Sequence, residues 1–257
     1  MRAPTLATCV PLLTLMCAMS APPAHQEARY APVSEAAYAP TSEARYAPVT
    51  EAAYAPVGEA ERALEAARVK AAAGDVIAQF SLGSMLYYAG PDTDQAIEWI
   101  RKAAAQQYAP AEFHLGQVLD FGFGAAPNDR EALAWYRKAA EHGSAAGQRA
   151  VGDFYQKGRG VAADAAEAAR WYRRAADGDD LRAQYQLGQM YFDGTGVTRD
   201  YASAYVWFSL AAAQTPLEDN RKGLVELRNI AAARMTPAAV SAAKQRVAAW
   251  RPRTLNP

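Results

Sequence analysis

Hydrophobic positions in this chain keep a long-range register. Trp99, Trp135, Trp171 and Trp207 stand 36 residues apart, three times in succession. Each is followed by a large residue (Ile100, Tyr136, Tyr172, Phe208), preceded three residues earlier by alanine (Ala96, Ala132, Ala168, Ala204), and followed at +4 and +5 by an alanine pair. The pairs are Ala103–Ala104, Ala139–Ala140, Ala175–Ala176 and Ala211–Ala212. A spacing kept this strictly marks tandem structural repeats. Upstream of each Trp runs a second periodic segment: AQFSLGSML from Ala78, AEFHLGQVL from Ala111, GQRAVGDFY from Gly147 and AQYQLGQMY from Ala183. On a helical wheel centred on the Leu or Val before each glycine, positions −4, +3 and +4 fall within about 60°. That predicts a buried stripe containing Ala78, Met85 and Leu86 in the first repeat and Ala183, Met190 and Tyr191 in the fourth. Each repeat therefore reads as two helices.

Polar and glycine positions punctuate the same frame. Gly83, Gly116, Gly152 and Gly188 fall in mid-helix, where each costs roughly 1 kcal/mol against alanine, so close approach of a neighbouring helix is expected at all four. First helices stop at Gly90, Gly122 with Gly124, Gly158 with Gly160, and Gly194 with Gly196. No strand precedes this G-x-G and no G-K-[ST] follows, which leaves a turn with the first glycine at a left-handed cap rather than a phosphate loop. Seven residues before each Trp stands Asp92, Asn128, Asp164 or Asp200, and three residues later Gln95, Glu131, Glu167 or Ser203. The first three pairs read as capping boxes, so these carboxylates are helix starts before they are candidates for acid–base chemistry.

The array has atypical ends. EAERALEAARVKAAAG, from Glu59 to Gly74, is rich in helix formers, and Ala66 falls where the ladder would place a Trp; it reads as a half-repeat cap. After the fourth repeat, Leu224, Leu227 and Ala231 mark one helix. A second opens at Thr236 with Pro237 in its first turn and aligns Val240, Ala243, Val247 and Trp250. From Glu27 to Gly58 a period of eight takes over: EARYAPVS, EAAYAPTS, EARYAPVT, EAAYAPVG. Proline every eight residues and few large aliphatic residues argue for a spacer without a core of its own. The expected divisions are a leader at 1–21, the spacer at 22–58, an amino-terminal cap at 59–77, four repeats at 78–213, capping helices at 214–251 and a tail at 252–257.

Composition changes this picture little. Net charge is zero and the sequence pI is about 6.8, which gives no electrostatic case for nucleic acid. The only cysteines, Cys9 and Cys17, lie in an opening segment of one arginine and a mostly apolar run from Leu6 to Ala21. That segment reads as a secretory signal peptide without a lipidation box, cleaved after Ser20 or Ala21, with an uncleaved anchor as the alternative. The processed chain would hold no disulfide, no thiol nucleophile and no membrane span.

The pattern A-x-x-x-L-G-x-M-Y-x-x-G-x-G-V-x-x-D-x-x-x-A-x-x-W-[YF]-x-x-A-A resembles the Sel-one-like (Sel1-like) repeat, a tetratricopeptide-related unit of about 36 residues. AQYQLGQMYFDGTGVTRDYASAYVWFSLAA, from Ala183 to Ala212, carries it almost completely, and the resemblance covers residues 59 to about 250. It implies an all-α fold, a right-handed α/α superhelix of four helix-turn-helix repeats, capped by a half-repeat and a carboxy-terminal helical pair. It also implies a non-catalytic scaffold that binds proteins or glycans, often in the bacterial envelope. Some secreted members carry a disulfide in each repeat; this chain has none, so activities of that branch do not transfer.

Candidate chemistry is sparse. His25 lies in the spacer, His114 is expected on an outer helix face, and His142 at a helix end beside the carboxy-terminal dipole, with no metal-ligand spacing among them. Neither a cofactor nor a catalytic residue is expected. Binding is better supported: off the buried stripe, first helices align Phe80, Phe113, Arg149 and Tyr185; Ser84, Gln117, Asp153 and Gln189; and Tyr87, Asp120, Gln156 and Phe192. In a stacked solenoid these columns would line a concave groove for an extended peptide or a glycan, although the aromatic column before the glycine could equally pack against the next repeat. The expected role is a protein-interaction scaffold in the periplasm or envelope, with a peptidoglycan binder, a secreted factor acting on host proteins and, last, a hydrolase as alternatives. The tryptophans are expected to be buried struts.

Overall fold

The computed structural model describes residues 57–89, 93–122 and 126–253. The leader and its cysteines, His25, nearly all of the octapeptide tract, Gly90, Asp92 and Gly124 lie outside them. The described residues form eleven helices and no strand: α1 (Val57–Ala72), α2 (Val76–Ala89), α3 (Thr93–Ala105), α4 (Ala109–Phe121), α5 (Asp129–Glu141), α6 (Ala145–Lys157), α7 (Ala165–Asp177), α8 (Leu181–Asp193), α9 (Tyr201–Gln214), α10 (Glu218–Ala232) and α11 (Pro237–Ala249). Consecutive helices pack on one another, α2 on α3, α4 on α5, α6 on α7 and α8 on α9, and each pair on the next, a solenoid of helical repeats. At the far end α10 and α11 both pack on α9. Leu224, Leu227, Ala231 and Ala243 are buried there, as the apolar stripes require. None of the described helices is long and apolar enough to cross a membrane.

The mid-helix glycines have the packing reason their cost demands. A Cβ on Gly83 would lie 2.6 Å from Ile100, on Gly116 2.5 Å from the Tyr136 ring, on Gly152 2.8 Å from the Tyr172 ring and on Gly188 2.6 Å from the Phe208 ring. The residue after each Trp therefore seats directly on the glycine of its own repeat. Ile100, Tyr136, Tyr172 and Phe208 are almost completely buried, whereas Trp99, Trp135 and Trp171 are only half-buried. This corrects the reading of the tryptophans as struts: the strut is the neighbouring side chain, and Trp207 alone is buried, at the end covered by the caps. Met85, Leu86 and Tyr191 of the expected stripe are half-buried for the same reason, lying at its margin.

Turn chemistry follows the sequence in one half and departs from it in the other. Gly122, Gly158 and Gly194 adopt φ of 75°, 69° and 78° and cap α4, α6 and α8. The Asn128, Asp164 and Asp200 side chains accept from backbone N–H groups of the following turn. The reciprocal half of the expected capping box is not made at Asn128 or Asp164. Their own N–H groups donate to Leu119 O (2.8 Å) and Tyr155 O (2.9 Å), and that of Asp200 to Tyr191 O (2.9 Å), closing the turn onto the first helix instead.

A buried polar column runs between repeats. Gln79, Gln148 and Gln184 donate through Nε2 to the carbonyls of Ala71, Ala140 and Ala176 in the preceding helix, at 3.1, 3.2 and 3.4 Å. On the other side, Gln106 donates to Gln79 Oε1 (2.9 Å) and Gln214 to Gln184 Oε1 (3.2 Å). Glu112 takes the place of the glutamine in the second repeat, and His142 Nδ1 donates to its carboxylate at 2.7 Å. His142 thus serves a side-chain partner on the first helix of its own pair. Gly178 stands at the equivalent place in the third repeat and has no side chain to offer, and Gln148 Oε1 is buried without a partner among the described residues.

Candidate functional site

First helices α2, α4, α6 and α8 carry the three columns expected to form a groove. In the first column all four side chains are half-buried. Phe80 meets Tyr108 and His114 edge-on at 5.5 and 6.1 Å, Phe113 tilts against Tyr136 at 5.5 Å, and Tyr185 against Phe208 at 6.4 Å. Arg149 reaches Asp180 Oδ2 and Asp153 Oδ2, both at 3.3 Å. This column rests against its own or the following repeat while keeping one side open.

In the second column Ser84 is buried, Gln117 makes no hydrogen bond among the described residues, and Gln189 donates to Tyr185 Oη at 3.0 Å with its Oε1 unpaired. Asp153 accepts from Tyr172 Oη at 2.6 Å. Burial raises the Asp153 carboxyl above the usual carboxylate range, more than the Arg149 charge and the tyrosine hydroxyl lower it.

The third column varies with the strut it faces. Tyr136 Oη donates to Asp120 (3.0 Å), which also pairs with Arg159 at 2.7 Å, and Tyr172 Oη donates to Gln156 Oε1 (2.6 Å). Where the strut is Phe208, without a hydroxyl, the column residue is Phe192, buried against Tyr201 at 5.3 Å. Where it is Ile100, the residue is Tyr87. A tyrosine after Trp thus goes with Asp or Gln sixteen residues before it, a signal already present in the sequence. Burial and the adjoining carboxylates hold the Tyr136 and Tyr172 phenols far above their ordinary titration range, so both are neutral donors.

His114 does not lie on an outer face. It is 9% exposed, with Tyr87 edge-on at 5.0 Å and Phe80 and Tyr88 at 6.1 and 6.3 Å, because α4 turns this face onto α2. Burial lowers its pKa from 6.5 to about 4, so the ring is neutral at pH 7. The unfolded chain takes up a proton as pH falls below about 6.5, whereas the folded ring does not until about 4. Its contribution is complete above 6.5 and is lost through that window, a loss on the order of 3 kcal/mol. Urea titrations at pH 7.5 and pH 4.5 should show the wild type losing that much more than His114→Phe.

Sequence reasoning missed the cations that cover the ladder. Lys102, Lys138 and Arg174 lie over Trp99, Trp135 and Trp171 at 4.0, 3.9 and 4.6 Å, each three residues after its Trp. The i, i+3 spacing was the available signal. Among the described residues no group of three or more His, Cys, Asp or Glu side chains could hold a metal ion.

Four consecutive segments, 76–108, 109–144, 145–180 and 181–216, match the family model described as Sel1 repeat. Several solved structures are similar, two of them as follows. One is c5321 of uropathogenic Escherichia coli, described as a protective antigen displaying an SLR fold, at 34% identity and a TM-score of 0.64, with 77% of this chain and 42% of that one covered. The other is a Sel1 repeat protein of Oxalobacter formigenes, at 31% identity and a TM-score of 0.57, with 67% and 76% covered. The matched region therefore spans less than half the length of the E. coli protein. No curated protein sequence matches the chain.

Proposed function

This chain belongs to the Sel1-repeat family, whose members are generally protein-interaction scaffolds, and on that footing we propose that it binds an extended peptide segment of a partner protein along first helices α2, α4, α6 and α8, without chemistry of its own. The observation that carries the reading is the unspent hydrogen-bonding capacity on these helices. Gln117 makes no hydrogen bond among the described residues, and the Gln189 amide, its Oε1 buried and unpaired, would have to turn outward to meet a partner; each lies one helical turn after an aromatic side chain, Phe113 or Tyr185. An amide beside an aromatic face suits a peptide, whose backbone donors and acceptors match the amide while its side chains cover the ring. The apolar opening segment with small residues at its end supports export, which would place the scaffold in the cell envelope.

Cross-linking and pull-down of envelope proteins with wild type and with Gln117→Ala/Gln189→Ala tests this. The double variant should keep its thermal midpoint within a few degrees and capture its partner at least about tenfold less well, the loss of one to two hydrogen bonds per complex. Retention of every partner by the folded double variant would refute the groove.

A further inference from the structure

Of the three gaps between second helices of the full repeats, α3–α5, α5–α7 and α7–α9, the last two are filled by one device. Between α5 and α7, Arg137 Nη2 donates to Tyr155 Oη at 2.7 Å and its guanidinium lies 5.5 Å from that ring, while Trp171 packs on the same apolar cluster as Tyr155. One repeat on, Arg173 donates to Tyr191 Oη and lies 5.3 Å from both the Tyr191 and the Trp207 rings. One repeat earlier the arginine is Arg101 and the tryptophan Trp135, but Leu119 stands where the tyrosine should be and Val118 where the next gap has Phe154. A cavity of about 270 Å³ opens there, lined by Ile97, Arg101, Leu115, Val118, Trp135 and Lys138 among others. Arg101 makes no hydrogen bond or ion pair among the described residues. The volume is below the ~300–1,000 Å³ typical of small-molecule pockets, which favours a single large side chain.

We propose that this cavity receives a tyrosine from the chain's own octapeptide tract, its ring on Trp135, its phenol accepting from Arg101. The two sister gaps show the chemistry of the missing occupant, an aromatic ring with a hydroxyl facing an arginine. The tract repeats that group four times, at Tyr30, Tyr38, Tyr46 and Tyr54, each with a glutamate three residues before it to meet Lys138 or Arg101. Reach selects among them. Helix axes pack 8–10 Å apart, so the gap between α3 and α5 lies on the order of 20 Å from α1. Tyr54 stands only three residues before Val57, a span of roughly 10 Å at about 3.1 Å per residue. Tyr46, eleven residues before it, spans roughly 34 Å, and Tyr38 and Tyr30 more. Tethering gives an effective concentration on the order of millimolar, so a weak contact suffices within one chain. This site lies between second helices α3 and α5 over Leu115, Val118 and Leu119 of α4, and none of its lining residues belongs to the groove columns.

The test uses the full-length chain with benzoylphenylalanine at Ala134, an exposed residue at the cavity rim. Irradiation and peptide mass spectrometry should find intrachain cross-links to residues 27–58. These should fall at least fivefold in Leu119→Tyr, which fills the cavity as Tyr155 and Tyr191 fill theirs, and at least fivefold in Tyr30→Ala/Tyr38→Ala/Tyr46→Ala. The triple variant leaves every helix untouched and so decides the matter even if Leu119→Tyr folds poorly. Cross-links that miss the tract, that persist in the triple variant, or that join two chains would overturn the proposal.

Discussion

Tyr172→Ala is expected to destabilise the array by about 4 kcal/mol, the usual cost of removing a fully buried aromatic side chain. Tyr172 is 0% exposed, seats on Gly152 and donates its hydroxyl to Asp153 and Gln156. Removal opens a void between α6 and α7 and leaves the Asp153 carboxyl, whose ionised form burial already disfavours, without its tyrosine donor. Tyr172→Phe separates the two contributions and should cost only about 1–2 kcal/mol, the share of a buried hydrogen bond. A double-mutant cycle gives a sharper signature. A Cβ on Gly152 would lie 2.8 Å from the Tyr172 ring, so Gly152→Ala should destabilise the wild type. In the Tyr172→Ala background the obstacle is gone, and the same change should stabilise by up to about 1 kcal/mol through helix propensity. Urea titration measures all four species; no change of sign would show that the ring does not rest on the glycine. Hydrogen exchange should place the loss mainly in α6, α7 and their neighbours, since repeats contact only adjacent repeats.

Gly196→Ala should cost about 3–4 kcal/mol, and Gly194→Ala, two residues earlier, only about 1–2. Both glycines have positive φ, +69° and +78°, so both substitutions incur the left-handed strain of roughly 1–2 kcal/mol. They differ in what the new methyl meets. At Gly194 the nearest atom is Arg199 Cβ at 3.3 Å, within the same turn; at Gly196 it is Ala165 O at 2.2 Å, backbone at the start of the preceding repeat's second helix. Backbone cannot turn aside like a side chain, so the turn must move away from α7, at a further overpacking cost of about 1–3 kcal/mol. Gly160 repeats the arrangement against Asp129 O at 2.7 Å, and Gly160→Ala should rank close to Gly196→Ala. Thermal or urea midpoints for the three variants provide the check. Equal losses at Gly194 and Gly196 would remove the inter-repeat role of the second glycine.

That pair of glycines shows where sequence reasoning stops. Both read as turn residues, and only the first owes its identity to its own turn; the second is glycine because of another repeat's backbone. Trp and its successor divide the same way. Their 36-residue frame announced a buried helix face, yet which of two adjacent large residues goes inside depends on the angle at which the paired helix approaches. In the structure the glycine of the first helix admits Ile100, Tyr136, Tyr172 or Phe208, and the tryptophans are left under Lys102, Lys138 and Arg174. His114 was misplaced by the same kind of error, since periodicity along α4 does not say that α2 lies across that face.

The candidate groove was legible as columns but not as occupancies. Asp120, Asp153 and Gln156 face the tyrosine hydroxyls of their own repeats, Phe192 is buried, Gln189 is spent on Tyr185 with its Oε1 buried, and Gln117 makes no hydrogen bond among the described residues. The linear pattern determined the helices, their pairing, the left-handed glycine caps and the repeat length, because those depend on local propensity and on a register that one dimension records. Tertiary structure alone decided which large side chain becomes the strut, which glycine serves a neighbouring repeat, and which polar groups remain unspent, because each depends on distances between segments that lie many residues apart.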